Sequence, residues 1–157
     1  MISNWPAEQG VATIRTMSTA RSADVHADLP YLYIAWDGEH HCIYLEFKGF
    51  ATSAEFRSGT LMVIDAIRER NAASLISDNR RLEVVSNEDQ LWLRDTLVPQ
   101  AAASGMKRAA LVVAHQGLGK FASQEILSRL PTGMFVTRTF DSLEEAKKWI
   151  AKEGSEK

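Results

Sequence analysis

Only one cysteine, Cys42, occurs in the 157 residues, too few for an internal disulfide framework or a thiolate zinc cluster. That scarcity fits a reducing, cytoplasmic setting. Excess positive charge is missing as well: the formal net charge is -2, so no overall field draws the chain to nucleic acid or to an anionic membrane. No window approaches the roughly 20 apolar residues of a membrane span. Residues 1 to 30, which include Trp5, Pro6, Gly10, Arg15 and Arg21, hold no continuous apolar run of the kind a targeting signal needs. Internal repeats and low-complexity segments are absent too. What is there is ordinary for a globular protein, with 45% hydrophobic and 24% charged residues. A chain of this length suits one domain with one core.

Along the chain, residues 1 to 30 read as a poorly defined extension with room for one short strand, showing weak alternation from Val11 to Met17 and a polar stretch from Ser18 to Asp28. From residue 31 to 157 the pattern is that of a single α/β domain. Leu32, Ile34 and Trp36 alternate, as do Ile43, Leu45 and Phe47, with Asp37-Gly38 between them, which predicts two strands joined by a turn. Their opposite face carries Tyr31, Tyr33, Cys42, Tyr44 and Glu46, unusually aromatic for a surface left in water. Thr52 and Glu55 have capping-box spacing and open a helix to about Arg70 with an apolar stripe of Phe56, Thr60, Val63, Ile64 and Ile67. Leu75-Ile76 read as a short buried strand ending at Asp78. Ser86 and Asp89 repeat the capping pattern before a helix that runs to Gly105, and Pro99 should kink or divide it. The unbroken apolar run 109 to 114 suits a central strand. A third helical segment then runs to about Leu130, a strand from Met134 to Phe140, and a last helix capped by Asp141. The order predicts a mixed five-stranded sheet, its N-terminal hairpin antiparallel and the rest parallel, with about four helices.

Four stretches together carry a likeness: LEFKGFATSAEFR at 45 to 57, LISDNRRL at 75 to 82, VSNEDQLWLRDTLVPQAAASGMKRAALVV at 85 to 113, and FDSLEEAKKWI at 140 to 150. In combination they resemble the SpoIIAA-like family, a branch of the STAS fold of anti-sigma-factor antagonists and sulfate-transporter C-terminal domains. The likeness spans roughly residues 31 to 150 and implies a fold more than an activity. Phosphorylated members of the wider group carry an Asp-Ser-Ser-Gly type motif at the entrance to the second helix. This chain has VSNED there, with Ser86 at the comparable place but neither a paired serine nor a glycine. Ser86 is thus a phosphorylation candidate whose capping role alone accounts for it.

In an open α/β sheet, ligands gather where strands end. Asp78, Asn79, Arg80 and Arg81 follow one predicted strand, and His115 and Lys120 follow the next. If the two strands are neighbours, these side chains form a rim with which a carboxylate or phosphate could pair. The plainer alternative has Asp78 capping local amides or pairing with one arginine. AHQGLGKF at 114 to 121 lacks the first glycine and the hydroxyl of a phosphate-binding loop. Ser104-Gly105-Met106-Lys107 matches an acylating S-x-x-K pattern only by coincidence, since it ends a helix. His40, His41 and Cys42 are strand neighbours that point to opposite faces and cannot share one metal ion. No catalytic residue, metal or cofactor is nominated.

These observations favour a non-enzymatic binding or regulatory module, similar to STAS domains, that recognises a protein partner or a small anionic or amphipathic ligand. A homodimer, with Tyr31, Tyr33 and Tyr44 at the contact, would cover the aromatic hairpin face. The alternatives are a small enzyme using Asp78 or His115 as acid or base in the strand-end crevice, and a purely structural dimer. Neither nucleic acid nor an integral membrane segment enters any of them.

Overall fold

The structure is a computed structural model and describes residues 24–155; the alternating stretch from Val11 to Met17 lies outside the described residues. Strands β1 (Val25–Leu29), β2 (Leu32–Asp37) and β3 (Cys42–Phe47) precede helix α1 (Ser53–Arg70) and strand β4 (Ser74–Asp78). Helix α2 (Asn87–Trp92) runs through a π turn (Leu93–Leu97) into α3 (Val98–Ala103). Strand β5 (Arg108–Val112), helix α4 (Leu118–Arg129), strand β6 (Val136–Phe140) and helix α5 (Leu143–Ser155) complete the order.

Among the described residues the sheet has six strands in the order β1-β2-β3-β4-β5-β6. The first three are antiparallel neighbours and the rest are parallel. The α/β class, the mixed sheet and the antiparallel hairpin agree with the sequence reading, but the sheet is one strand larger than the five expected. The added strand is β1, drawn from the polar stretch that showed no strand pattern. It lies at the sheet's edge, with a register irregularity between Val25 and Ala27 and most of its side chains exposed, so the apolar alternation that reveals an inner strand is not required of it.

Local chemistry sets the hairpin turn. Asp37 Oδ1 accepts from the amides of Glu39 and His40, both at 3.0 Å, and His41 takes the left-handed conformation at φ 54°. At the entrance to α1 the capping box forms in full: Thr52 Oγ1 accepts from the Glu55 amide and Glu55 Oε1 from the Thr52 amide. Ser86 caps α2 likewise, through the Asp89 amide. The last helix departs from expectation, since the Glu145 amide donates to Ser142 Oγ and Asp141 lies outside the cap. Pro99 has no N–H for the helical ladder and stands just past the π turn, where the Val98 amide reaches back to Leu93 O.

The two faces of the sheet are covered differently. On the first face, Leu32, Ile34, Ile43, Leu45 and Phe47 pack against α1, α3 and α4 in the larger cluster of the core. Contact there is close: a Cβ added at Gly59 of α1 would lie 2.6 Å from Leu32 Cδ2, which excludes any larger residue without a shift. On the second face, Cys42, Ile76, Ala110 and Val112 form a smaller cluster with Ala146 and Ile150 of α5. Burial first, and the charge of Asp37 second, raise the Cys42 thiol, so it remains an uncharged apolar filler. No helix among the described residues is long and apolar enough to cross a membrane.

Candidate ligand-binding site

Strands β4 and β5 pair in parallel, so their ends emerge side by side, and the Asn79 amide donates to Val112 O at 2.8 Å. Side chains alternate across a strand, and the strand-end residues therefore part company. Asp78 points to the second face. Its carboxylate takes Arg80 Nε at 2.9 Å and Nη2 at 2.7 Å, and accepts from the Tyr44 hydroxyl at 3.2 Å. Arg81 Nη1 lies 3.5 Å from Glu46 Oε2. His115 is 76% exposed and 3.6 Å from Asp141 Oδ2, and Lys120 is exposed on α4. Both guanidinium groups that were expected at the rim are thus engaged by carboxylates of this chain.

Electrostatics follow from those contacts. Burial opposes the ionisation of Asp78, but hydrogen bonds from Arg80 and Tyr44, with the Arg80 charge, outweigh it and hold the carboxyl below the usual range. Burial, then the charges of Asp78 and Glu46, push the Tyr44 phenol far above its ordinary range, so Tyr44 stays a donor. A carboxylate held this way is a poor general base, and His115 has its own partner in Asp141.

Of the three tyrosines assigned to one face, Tyr33 and Tyr44 do share it, their rings T-shaped at 6.3 Å. They line a groove of about 450 Å³ beside Leu143 and Lys147 of α5. Tyr31 stands apart from them: it precedes β2 and packs on the first-face cluster against α1. In the hairpin turn, His40 Nδ1 is 2.8 Å from Asp37 Oδ2, while His41 packs edgewise on Trp36.

Residue-by-residue reading of the sequence missed a cavity beneath the helices of the first face. It measures about 130 Å³. Phe47, Val63, Ile67, Leu93, Leu97 and Met106 are among the residues around it, nearly all apolar. Leu93 and Leu97 come from the π turn, the point at which the α2–α3 helix departs from regular spacing. Met106 lines the cavity, whereas Phe121 is 63% exposed.

A crevice of about 320 Å³ opens between the loop entering α1 and the loop entering α2. Phe56 and Leu82 belong to both crevice and cavity, and form the partition between them. Its lip is apolar and exposed: Phe50 is 64% and Val84 63% accessible. Asp89 fastens the two helices behind the crevice. Its carboxylate was expected to cap its own helix reciprocally, but instead accepts from Ser53 Oγ and Arg57 Nε of α1, both at 2.7 Å. Burial works against ionisation of Asp89, and the hydrogen bonds from Ser53, Arg57 and Ser86 overcome it, so this carboxyl also lies below its usual range. Arg57 in turn lies over the Trp92 ring at 5.3 Å. Ser86 is exposed at the crevice, with Asp89 beside it.

No protein-family model matches the chain, and no curated protein matches it.

Proposed function

We propose that this protein is a binding module for a small amphipathic molecule, whose apolar part occupies the first-face cavity and which enters by the crevice beside Phe50 and Val84. The cavity carries the reading. Its volume of about 130 Å³ is close to that of the roughly 150 Å³ apolar cavities that take up benzene. At roughly 24 cal/mol per Å³ of void, a cavity of 130 Å³ forgoes about 3 kcal/mol of packing, which a fitting ligand would restore. The pairing of Arg57, Arg80 and Arg81 with carboxylates favours the amphipathic over the anionic ligand. The resemblance to SpoIIAA-like STAS modules suits a regulatory binding role without chemistry of its own.

Thermal unfolding in the presence of benzene, toluene or indole, set against inorganic phosphate, tests this. A ligand present at a hundredfold its Kd stabilises the fold by about 2.7 kcal/mol, which for a domain of this size raises Tm by about 5–10 °C. A rise with the aromatic probes and none with phosphate supports the reading. A rise with phosphate alone overturns it.

A further inference from the structure

Asn79 is the first residue after β4, and its backbone is fixed at both ends: its amide donates to Val112 O at 2.8 Å and its carbonyl accepts from the Leu82 amide at 3.1 Å. The side chain is 7% exposed and lines the cavity. Its Oδ1 accepts the Ser77 hydroxyl at 2.7 Å, a buried contact that orients the carboxamide. Nδ2, which carries two N–H donors, has no hydrogen-bond partner among the described residues. That nitrogen is not among the fully buried atoms without a partner, so it keeps accessible surface and its two N–H groups are open to an acceptor on a ligand.

The neighbouring polar groups do not compete. Thr60 Oγ1 turns back on its own helix, to Phe56 O at 2.8 Å and Arg57 O at 3.1 Å, and the Ser77 hydroxyl is spent on Asn79. Thr137 also lines the wall, but β6 sets it level with Ala109 and Leu75, four residues before Asn79 along the strands. Leu82, which partitions cavity from crevice, hydrogen-bonds to Asn79 itself. Asn79 therefore belongs to the crevice end of the cavity.

We propose that Asn79 is the specificity-determining residue of this site, and that the ligand is an uncharged molecule with a carbonyl-type acceptor next to an apolar group of benzene size. The proposal rests on the cavity reading above and adds the ligand's chemical class. An ionised head group is disfavoured there: the wall offers a neutral amide, and an unpaired charge moved into apolar surroundings is costly. A site that hydrogen-bonds its ligand also discriminates against an analogue that lacks the matching group.

Cyclohexanone, cyclohexane and cyclohexanecarboxylate are the probes, with affinities measured by calorimetry or ligand-detected NMR on the full chain and on Asn79→Leu and Asn79→Asp. Each variant's fold is checked by circular dichroism, and Asn79→Asp keeps an acceptor for Ser77 should Asn79→Leu fail to fold. Cyclohexanone is expected to lose about tenfold in affinity when the amide donors are removed, with cyclohexane unchanged. Equal binding of cyclohexanone to variants and wild type overturns the role of Asn79 while the cavity reading stands. Tighter binding of the carboxylate than of the ketone overturns the neutral ligand class. Failure of both cyclohexane and cyclohexanone to bind the wild type overturns the cavity reading together with this proposal.

Discussion

The two faces of the sheet solve burial in opposite ways. On the first face three helical segments cover a broad apolar surface, and they leave space between them. On the second face one helix, α5, seats on a compact apolar patch, and the remaining strip is held by side chains that satisfy one another, Tyr44 with Asp78 and Arg80, and Glu46 with Arg81. Charged groups and apolar lining are thus separated: the groove on the second face is bordered by charged side chains, some of them paired within the chain, and the cavity on the first face is bordered almost wholly by apolar ones. A site search guided by charge leads to the second face, and one guided by an apolar lining leads to the first.

The contrast can be broken most forcefully at Ile76, fully buried beneath α5. Ile76→Ala should cost about 2–5 kcal/mol of stability in urea unfolding, because the small cluster has few other contacts to collapse around the gap. A cost well below that range would mean α5 adds little to the fold.

Next in size is Asp78→Asn, which removes the charge that Arg80 embraces. Hydrogen bonds to charged groups contribute about 1.5–3 kcal/mol, and the partly exposed Arg80 can recover water, so a loss near the lower end is expected by denaturant titration. The accompanying pH dependence has a definite sign. The Asp78 and Asp89 carboxyls are both depressed in the folded state, so their stabilisation is complete above the unfolded-state pKa near 3.9 and is lost as pH falls through the lower folded value. Acid unfolding of the wild type should accordingly steepen below about pH 4, and Asp78→Asn should flatten that limb.

The smallest effect sharpens the comparison instead. Ala101 of α3 lines the first-face cavity, and Ala101→Leu extends a side chain into it. Cavity filling of this kind commonly adds about 0.5–2 kcal/mol. The same variant should lose the thermal shift given by aromatic probes. Destabilisation with binding retained would place the binding elsewhere.

How far the sequence reveals this molecule depends on the range of the forces involved. The caps at Thr52 and Ser86, the turn at Asp37 and the inner strands are encoded within a few residues, and they are legible for that reason. Strand β1 is not: it lies at the edge, where register and not apolar alternation defines it. Arg81 with Glu46, and Asp89 with Ser53 and Arg57, join residues more than thirty positions apart, and local spacing had assigned Asp89 to its own cap. Tyr31 was placed on the aromatic face by carrying the strand alternation one residue too far, since the strand starts at Leu32. The cavity has no signature at all, being the space that twenty-two side chains leave between them. Asn79 stood among the strand-end candidates for its position, but its place in the wall of an apolar cavity emerges only from packing.

The strand order holds one more consequence. Each strand pairs with the one made just before it, so none has to be threaded between two that have already joined. The sheet can grow outward from the first hairpin as synthesis proceeds, each crossover helix arriving with the strand it delivers, and local pairing of this kind keeps the entropic toll of loop closure small at every addition.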